Sequence, residues 1–116
     1  MSDGPRLSVV IPAYNEAESL PELHREVLAA MTTLGITWEI LYIDDGSRDG
    51  TDKVIATLCA TDPRVKGILL HRNFGKSAAL ATGFKAVQGE YVCTMDADLQ
   101  DDPAELPRMF EAIDGG

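Results

Sequence analysis

The chain has 116 residues, of which 10 are Lys or Arg and 19 are Asp or Glu, so its formal charge is −9. The length fits one domain, and a composition of 45% hydrophobic and 25% charged residues is typical of a folded globular protein rather than a disordered chain. The negative charge argues against a nucleic-acid binder, which needs a basic surface, and against a polybasic face that docks on anionic lipid.

Strand and helix patterns alternate along the chain. Four short apolar runs predict strands at 7–11, 39–43, 65–70 and 91–95. Continuous apolar runs are typical of parallel strands buried on both faces, so all four strands are expected to be buried. Apolar residues at helical spacing follow each run and predict helices at 16–34, from about 49–52, from 75 to 89 and from 103 onward.

Capping residues predict where two of the helices begin and end. Asn15, with Glu18 three residues later, is arranged as a capping box for the first helix, and Gly35 is expected to end that helix. Pro103 is a favoured first residue for the fourth helix, and Asp102 is its expected cap.

The β-α-β-α-β-α-β-α order predicts an α/β fold. Right-handed crossovers give a Rossmann-like, mainly parallel sheet of about four strands with helices on both faces. So small a sheet leaves an exposed edge strand, which favours self-association as a homo-oligomer. No apolar run reaches the roughly 20 residues that span a bilayer, and residues 1–6 lack a signal-peptide pattern. Cys59 and Cys93 favour buried thiols in a reducing, cytoplasmic compartment.

The segments that follow the predicted strands carry most of the unusual polar residues. They are 12–16, 44–47, 71–76 and 96–100. Because parallel strands end at the same edge of a sheet, and ligands of open α/β folds bind there, these segments are expected to form one binding site.

The acidic segment after the fourth strand is a candidate metal site. Asp96, Asp98 and Gln100 alternate, so their side chains share one side of an extended segment. Paired carboxylate oxygens suit Mg²⁺ or Mn²⁺, which would also bind the phosphate oxygens of a substrate. The alternative is that Asp96 or Asp98 only caps the next helix.

Other residues at this edge are candidates for binding a nucleotide. Asp44 and Asp45 suit hydrogen bonds to a base or ribose, but Asp-Asp-Gly-Ser is also a typical turn sequence. Both interpretations hold if one Asp binds the ligand and the other forms the turn. Tyr14 is expected either to stack on a base or to pack over the sheet edge. Arg72 and Lys76 either face a diphosphate or balance nearby acids.

Several other sites are excluded by residue type at a required position. Gly75-Lys76-Ser77 resembles the end of a phosphate-binding P-loop, but Leu70 stands where that motif needs glycine. No Gly-x-Gly-x-x-Gly follows the first strand, and there is no serine nucleophile elbow. A signalling receiver domain would need paired acids after the first strand and an Asp after the third, and neither is present.

His24 and His71 lack a partner pattern and are interpreted as structural or surface residues.

Four segments together resemble the family 2 glycosyltransferases of GT-A fold. They are Val9-Val-Ile-Pro-Ala-Tyr-Asn-Glu16, Asp44-Asp-Gly-Ser-Arg-Asp-Gly-Thr51, Arg72-Asn-Phe-Gly75 and Asp96-Ala-Asp-Leu-Gln-Asp-Asp-Pro103. The last segment is similar to the polyprenyl-phosphate branch, which includes dolichol-phosphate mannosyltransferases and bacterial undecaprenyl-phosphate glycosyltransferases. Their order at the predicted strand ends makes the resemblance specific, and it extends over nearly the whole chain.

The resemblance implies an inverting transfer of sugar from a UDP- or GDP-sugar to a polyprenyl phosphate or similar acceptor, assisted by Mg²⁺ or Mn²⁺. It implies nucleotide contacts for residues of all four loops: Pro12, Ala13, Tyr14, Glu16, Asp44, Asp45, Arg72, Lys76, Asp96, Ala97 and Asp98. It implies metal contacts for Asp96, Asp98 and Gln100.

Residues 1–116 resemble only the donor-binding part of the family's domain, which generally continues into the acceptor side of the site. A catalytic base, acceptor-side residues and any transmembrane helices are therefore expected beyond Gly116, and no catalytic residue is assigned within the chain. The chain is expected to bind nucleotide and metal but to transfer sugar poorly by itself, and the full-length protein is expected at the cytoplasmic face of a membrane. A family 2 transferase with a hydroxyl acceptor and a non-catalytic nucleotide-binding fragment are the alternatives.

Overall fold

The computed structural model describes residues 4–97 and 102–115. Within these residues strands and helices alternate. The strands are β1 (Leu7–Ala13), β2 (Trp38–Asp44), β3 (Val65–Leu69) and β4 (Tyr91–Thr94). The helices are α1 (Leu20–Thr32), α2 (Thr51–Thr61), α3 (Lys76–Ala86) and α4 (Leu106–Gly115), and a 3₁₀ turn at Pro103–Glu105 precedes α4.

The strands form one parallel sheet in the order β3-β2-β1-β4. β1 pairs with β2 over its full length, with Leu7 beside Trp38 and Ala13 beside Asp44. Because every described pair is parallel, all four strands end at the same edge of the sheet. The α/β fold predicted from the element order is confirmed.

Helices cover both faces of the sheet. On one face Val9 and Ile40 pack with Leu23 of α1, Ile55 of α2 and Phe110 of α4. On the other face a smaller cluster joins Val10, Leu41 and Ile43 to Ala79 of α3. The second face therefore depends on a single described helix.

The two central strands and the two outer strands differ in burial. Every residue of β1 and of β2 is buried, as their apolar runs predict. The prediction of full burial is wrong for the outer strands, because only Val65 of β3 and Cys93 of β4 are buried. The apolar pattern is similar in all four strands, but an outer strand has a neighbour on one side only, so its side chains are covered incompletely.

The predicted beginning of α1 is wrong. A helix over 16–34 with Asn15 and Glu18 as a capping box was expected, but the helix begins at Leu20 and has no side-chain cap. Asn15 instead has a left-handed backbone with φ of 54°, and its Oδ1 accepts the N–H of Arg48. A hydrogen bond to a distant loop therefore replaces the local cap.

Glycines mark the end of two helices less closely than predicted. α1 ends at Thr32, and Gly35 follows with φ of 66°. α3 ends at Ala86 rather than at Gly89. Gly89 serves a close approach instead, because a Cβ there would lie 2.5 Å from Oγ of Ser8.

The predicted cap of the fourth helix is confirmed, although its first turn is tighter than expected. Asp102 Oδ1 accepts the N–H of Ala104 at 3.0 Å. Residues Pro103–Glu105 form a 3₁₀ turn, and the α-helix begins at Leu106.

A buried carboxylate organises the end of the sheet away from the carboxyl edge. Glu39 Oε2 accepts hydrogen bonds from Ser8 Oγ at 2.6 Å and from the N–H of Gln88 at 2.7 Å, and Lys66 Nζ lies 2.9 Å from Oε1. Burial opposes the charge on Glu39, but these donors together hold its pKa below the usual range. The cluster ties β1 and β2 to the segment between α3 and β4.

Two further predictions concern helix length and cysteine pairing. Among the described residues, no helix is long and apolar enough to cross a membrane. Cys59 and Cys93 are free thiols; Cys93 is buried as predicted, whereas Cys59 is only half-buried, and burial raises the pKa of each. Cys93 lies in the hydrophobic cluster that contains Val9 and Ile40, and Cys59 packs against that cluster, so both thiols contribute to packing.

Candidate functional site

The loops after the four strands form two adjoining clefts at the carboxyl edge of the sheet. The four-loop cleft encloses about 340 Å³ and is lined by Pro12, Ala13, Tyr14, Glu16, Asp45, Asn73, Gly75, Lys76, Asp96 and Ala97. The β2–β3 cleft encloses about 510 Å³ and is lined by Tyr14, Asp44, Gly46, Ser47, Arg48, Asp52, Leu69, Leu70, His71, Arg72 and Asn73. Tyr14 and Asn73 line both clefts, so together the clefts form one groove.

The structure brings the predicted site residues together at this groove. Each predicted nucleotide-binding residue within the described ranges lines one of the two clefts. Asp44 and Arg72 lie in the β2–β3 cleft, and the others lie in the four-loop cleft. Asp98 and Gln100 lie outside the described residues. That these residues bind a nucleotide stays a prediction.

Some groove residues were not predicted as ligand contacts. Arg48, Asp52, Asn73 and Gly75 have no ligand contact assigned from the sequence, yet all four line the groove. For Arg48, Asn73 and Gly75 the available signal was a position in a loop that follows a strand, whereas Asp52 lies in the first turn of α2. Residue type alone does not separate a turn former from a ligand contact.

Asp45 is buried at 3% exposure, and its carboxylate holds the loop between β3 and α3. Its Oδ1 accepts the N–H of Phe74 at 2.8 Å, and its Oδ2 accepts the N–H of Gly75 at 3.0 Å and Nδ2 of Asn73 at 3.2 Å. Both oxygens are thus engaged inside the protein. The geometry favours a positioning role for Asp45.

Asp44 forms the turn that follows β2. Its Oδ1 accepts the N–H of Ser47 at 3.0 Å, which is the turn-forming role of the Asp-Asp-Gly-Ser sequence. The next loop passes very close to this turn, because a Cβ on Gly46 would lie 2.2 Å from the carbonyl carbon of Arg72 and 2.4 Å from N of Asn73. Glycine at this position allows the two loops to lie side by side.

An aromatic and cationic group lies beside the β2–β3 cleft. The guanidinium of Arg72 lies over the ring of Phe74, 4.5 Å from its centroid, and His71 contacts the same ring edge-on at 5.1 Å. Tyr14 and Phe74 are exposed at 45% and 42%. The groove is lined by the Tyr14 ring and by Arg72, whose guanidinium stacks on Phe74, and these groups suit a planar, electron-rich ring.

The loop after β1 is bonded to the loop after β2. Ser47 Oγ accepts the N–H of Asn15 at 2.8 Å, and Asn15 Oδ1 accepts the N–H of Arg48 at 2.9 Å. These reciprocal bonds hold the residue after Tyr14 in its left-handed conformation. They orient the first loop toward the groove.

The first turn of α2 anchors the same loop. Thr51 Oγ1 accepts the N–H of Glu16 at 2.9 Å, and Asp49 Oδ2 accepts the N–H of Ala17 at 3.1 Å. Hydrogen bonds from Thr51 hold the pKa of Asp49 below its usual range. The anchoring carboxylate is therefore charged at neutral pH, when its bonds to the loop are strongest.

A hydroxyl links the first and fourth loops. Ser19 Oγ lies 2.9 Å from Oε2 of Glu16 and 2.9 Å from the carbonyl oxygen of Ala97. The Glu16 side chain, which lines the four-loop cleft, is therefore held in place by Ser19. The link holds the segment after β4 against the beginning of α1.

Lys76 and Asp96 form an ion pair across the four-loop cleft. Lys76 Nζ lies 2.5 Å from Oδ1 of Asp96, and the two side chains are 60% and 39% exposed. An exposed pair of this kind adds little to stability, since solvent screens both charges. Both side chains are accessible from the cleft, where a ligand would meet them.

The described part of the groove offers partial support for a divalent cation. Asp96 supplies a hard carboxylate oxygen that already has a cationic partner, which fits the chemistry of Mg²⁺ or Mn²⁺. Among the described residues, no group of three or more His, Cys, Asp or Glu side chains is arranged to hold a metal ion. The predicted ligands Asp98 and Gln100 lie outside these residues.

Comparison with known proteins gives a consistent family match. The sequence model of glycosyl transferase family 2 matches residues 8–116. The chain is 48% identical over 112 residues to undecaprenyl-phosphate 4-deoxy-4-formamido-L-arabinose transferase of Salmonella paratyphi A, and 48% identical to the enzyme of that name from Salmonella dublin. The match covers 96% of this chain and 34% of each relative, so the chain spans about a third of their length.

Solved structures show the same fold. A mannosyltransferase from Pyrobaculum calidifontis, solved with GDP-Man and Mn²⁺, matches with a TM-score of 0.67 and 28% identity over 84% of this chain and 28% of that one. S. aureus TarS 1-349, solved with UDP, matches with a TM-score of 0.72 and 23% identity over 95% of this chain and 32% of that one. The predicted fold of the GT-A glycosyltransferases is confirmed.

Proposed function

Because the chain belongs to glycosyl transferase family 2, we propose that its groove binds the nucleotide-sugar donor of an inverting glycosyltransferase. The observation that carries the proposal is the convergence of the predicted site residues on one groove at the carboxyl edge of the sheet. The relative at 48% identity is named for transfer involving undecaprenyl phosphate, which supports a polyprenyl phosphate at a membrane as the acceptor.

The base and ribose of the donor are assigned to the β2–β3 cleft. Tyr14 and Arg72, whose guanidinium is stacked on Phe74, line this cleft and offer planar faces to a base. Asp44 keeps Oδ2 as an acceptor beside its turn-forming Oδ1. Asp45 acts by positioning the loop that carries Arg72, because both of its oxygens accept bonds from that loop. Solved structures with UDP and with GDP-Man support either base.

The diphosphate is assigned to the four-loop cleft. Lys76 is the first residue of α3, so its ammonium and the helix N-terminus both favour negative charge in the cleft. Asp96, with Asp98 and Gln100 as predicted partners, would hold Mg²⁺ or Mn²⁺. When bound, such an ion stabilises the negative charge of the departing nucleoside diphosphate. The Mn²⁺ in the mannosyltransferase structure supports this assignment.

Transfer to the acceptor is proposed to need more than these residues. The chain spans 34% of the length of the relatives, and the sequence assigns no catalytic base within it. A phosphate acceptor is already ionised and needs little deprotonation, whereas a hydroxyl acceptor would need a general base. The chain alone is therefore expected to bind donor and to transfer sugar poorly.

Calorimetric titration of the 116-residue chain tests donor binding. UDP, GDP, UDP-sugars and GDP-sugars are titrated with and without Mn²⁺, and one base series is expected to bind with cation-dependent affinity. Asp96→Asn is expected to weaken that binding about tenfold or more, since it removes a charged contact. Glu111→Gln, an equal charge change on the exposed surface of α4, is the matched control.

The alternatives differ in what they predict for the same titrations and for turnover. Failure of all four ligand types to bind would remove the donor-binding proposal. Donor binding together with rapid transfer to polyprenyl phosphate by the chain alone would contradict the expected lack of turnover. Transfer to a hydroxyl acceptor but not to a polyprenyl phosphate would favour the hydroxyl branch of the family.

A further inference from the structure

Lys76 occupies an unusual position for a cation. It is the first residue of α3, and the first turn of that helix carries no acidic residue. The N-terminus of a helix already bears partial positive charge, so a lysine there is disfavoured unless a negative group lies close to it. Among the residues that the structure describes, Asp96, from the segment after β4, is a negative group that pairs with Lys76.

The same Asp96 carboxylate is both the ion-pair partner of Lys76 and the candidate ligand of a divalent ion. Its Oδ1 lies 2.5 Å from Lys76 Nζ, and it is the described residue best suited to hold a divalent ion. An ammonium and a divalent ion on one carboxylate lie only a few ångströms apart and repel each other. Occupation by the metal therefore weakens the ion pair.

We propose that Lys76 competes with the divalent cation for Asp96: its ammonium holds the carboxylate in the metal-free chain, gives it up when the metal binds, and then contacts the donor's phosphates. The proposal rests on the proposed function in assigning metal and diphosphate to this cleft. Lys76 thereby makes two successive contacts, first with Asp96 and then with the donor's phosphates, so loading of the site is most favourable when metal and phosphate bind together.

The surroundings of Lys76 permit such an exchange. Gly75 is held by Asp45 through a 3.0 Å hydrogen bond, so the backbone at the start of α3 is anchored. The Lys76 side chain is 60% exposed and carries its ammonium on a flexible four-carbon stem. It lines the four-loop cleft with Tyr14 and Glu16, so its head group can turn from Asp96 toward a ligand without movement of the helix.

Equilibrium Mn²⁺ binding without nucleotide tests the competition. Electron paramagnetic resonance of free Mn²⁺ gives its dissociation constant for the wild type, Lys76→Gln and Lys85→Gln. Lys76→Gln is expected to bind Mn²⁺ about 3- to 30-fold more tightly than the wild type, in the range of coupling between directly interacting groups. Lys85→Gln removes the same charge from the last turn of the same helix and is expected to match the wild type.

A double-mutant cycle and a nucleotide titration complete the test. With Asp96→Asn, the Lys76→Gln change is expected to have no effect on Mn²⁺ affinity. At saturating Mn²⁺, Lys76→Gln is expected to weaken UDP or GDP binding about 3- to 10-fold, because a phosphate contact is lost. Thermal unfolding followed by fluorescence of the buried Trp38 verifies that each variant is folded.

The outcomes separate this inference from the proposed function. Equal Mn²⁺ affinity in the wild type and Lys76→Gln, or no Mn²⁺ binding by either, overturns the competition. An unchanged nucleotide affinity in Lys76→Gln overturns the phosphate contact. Tighter Mn²⁺ binding by Lys76→Gln without any nucleotide binding upholds the competition and contradicts the donor-binding proposal.

Discussion

At the scale of single residues, the two adjacent acids after β2 have different partners. Asp44 bonds to its own turn, through the N–H of Ser47. Asp45 bonds to the loop after β3, through the N–H groups of Phe74 and Gly75, about 30 positions away. Neighbouring residues in an extended chain point in opposite directions, which is why one acid serves the local turn and the next serves a distant loop.

Replacing Asp45 by Asn is expected to lower the free energy of unfolding by about 1–3 kcal/mol, because an amide NH₂ would replace one of two buried acceptors and leave an N–H donor without a partner. Urea denaturation followed by Trp38 fluorescence measures the loss. Glu18→Gln on the exposed surface is the control and is expected to change stability by less than about 0.5 kcal/mol. Equal stability of the two variants would show that the Asp45 contacts are dispensable.

His24 is a buried histidine whose charge depends on pH. Its Nδ1 lies 2.7 Å from Oη of Tyr42, and its Nε2 is buried with no hydrogen-bond partner among the described residues. Burial lowers the pKa of His24, and the nearby charge of Asp62 opposes that effect only in part. The residue is structural, as its isolated position in the sequence suggests.

The lowered pKa predicts a dependence of stability on pH. The unfolded state takes up the His24 proton more readily than the folded state, so the free energy of unfolding is expected to fall as the pH drops below about 6.5. Urea denaturation between pH 8 and pH 5 measures this fall. His24→Gln should lose less stability over that range than the wild type, whereas His71→Gln, at an exposed histidine, should follow the wild type. Parallel profiles for all three proteins would refute the assignment.

At the scale of elements, the groove depends on loops that bond to one another rather than on the helices alone. The loop after β1 is held by Ser47 and Thr51, and the loop after β3 is held by Asp45. Gly46 allows the second and third loops to touch, since any Cβ there would overlap the backbone of Arg72. The strand ends therefore position these loops, and hydrogen bonds between the loops hold them together.

Gly46→Ala and Gly35→Ala separate two costs of replacing a glycine. Gly46 and Gly35 have positive φ, of 73° and 66°. An alanine at either position must adopt a left-handed backbone, which costs about 1–2 kcal/mol. Only Gly46 is crowded, because nothing lies within 4 Å of a Cβ on Gly35. Chemical denaturation should therefore find Gly46→Ala less stable than Gly35→Ala by a further 1–3 kcal/mol or so. Equal losses would contradict the close approach of the two loops.

At the scale of the whole molecule, the sheet ends in two strands that each pair on one side. β3 and β4 are the outer strands of the described sheet, and Leu69 and Val92 are exposed at 56% and 38%. Unpaired strand edges with exposed apolar residues favour pairing with another strand. Self-association through such an edge stays a prediction from the sequence.

Sedimentation velocity over a series of concentrations tests that prediction. The wild type is expected to associate as its concentration rises, and Val92→Lys is expected to lower the association constant about tenfold, because a charge on an outer strand opposes pairing. Thr57→Lys adds the same charge to the exposed surface of α2 and serves as the control. A wild type that is monomeric at every concentration would refute the prediction.

The sheet and the position of its groove could be predicted because their signals are local. Apolar runs located the strands to within two residues at either end, and the α/β order decided that the strand ends would meet. The start of α1 could not be predicted, because Asn15 bonds to Arg48 instead of capping the helix. The exposure of the outer strands was equally hidden, since burial depends on neighbours that the strand's own residues do not specify.

The sequence by itself determined the fold class, the family resemblance and the edge of the sheet at which polar residues collect. Only the tertiary structure decided that Asp45 is a positioning residue, that Gly46 allows two loops to lie in contact, and that Lys76 pairs with Asp96. The physical reason is distance along the chain. Strand and helix patterns repeat within a few residues, whereas the hydrogen bonds and the ion pair that join one groove loop to another link residues 20 to 78 positions apart, which only the folded chain brings together.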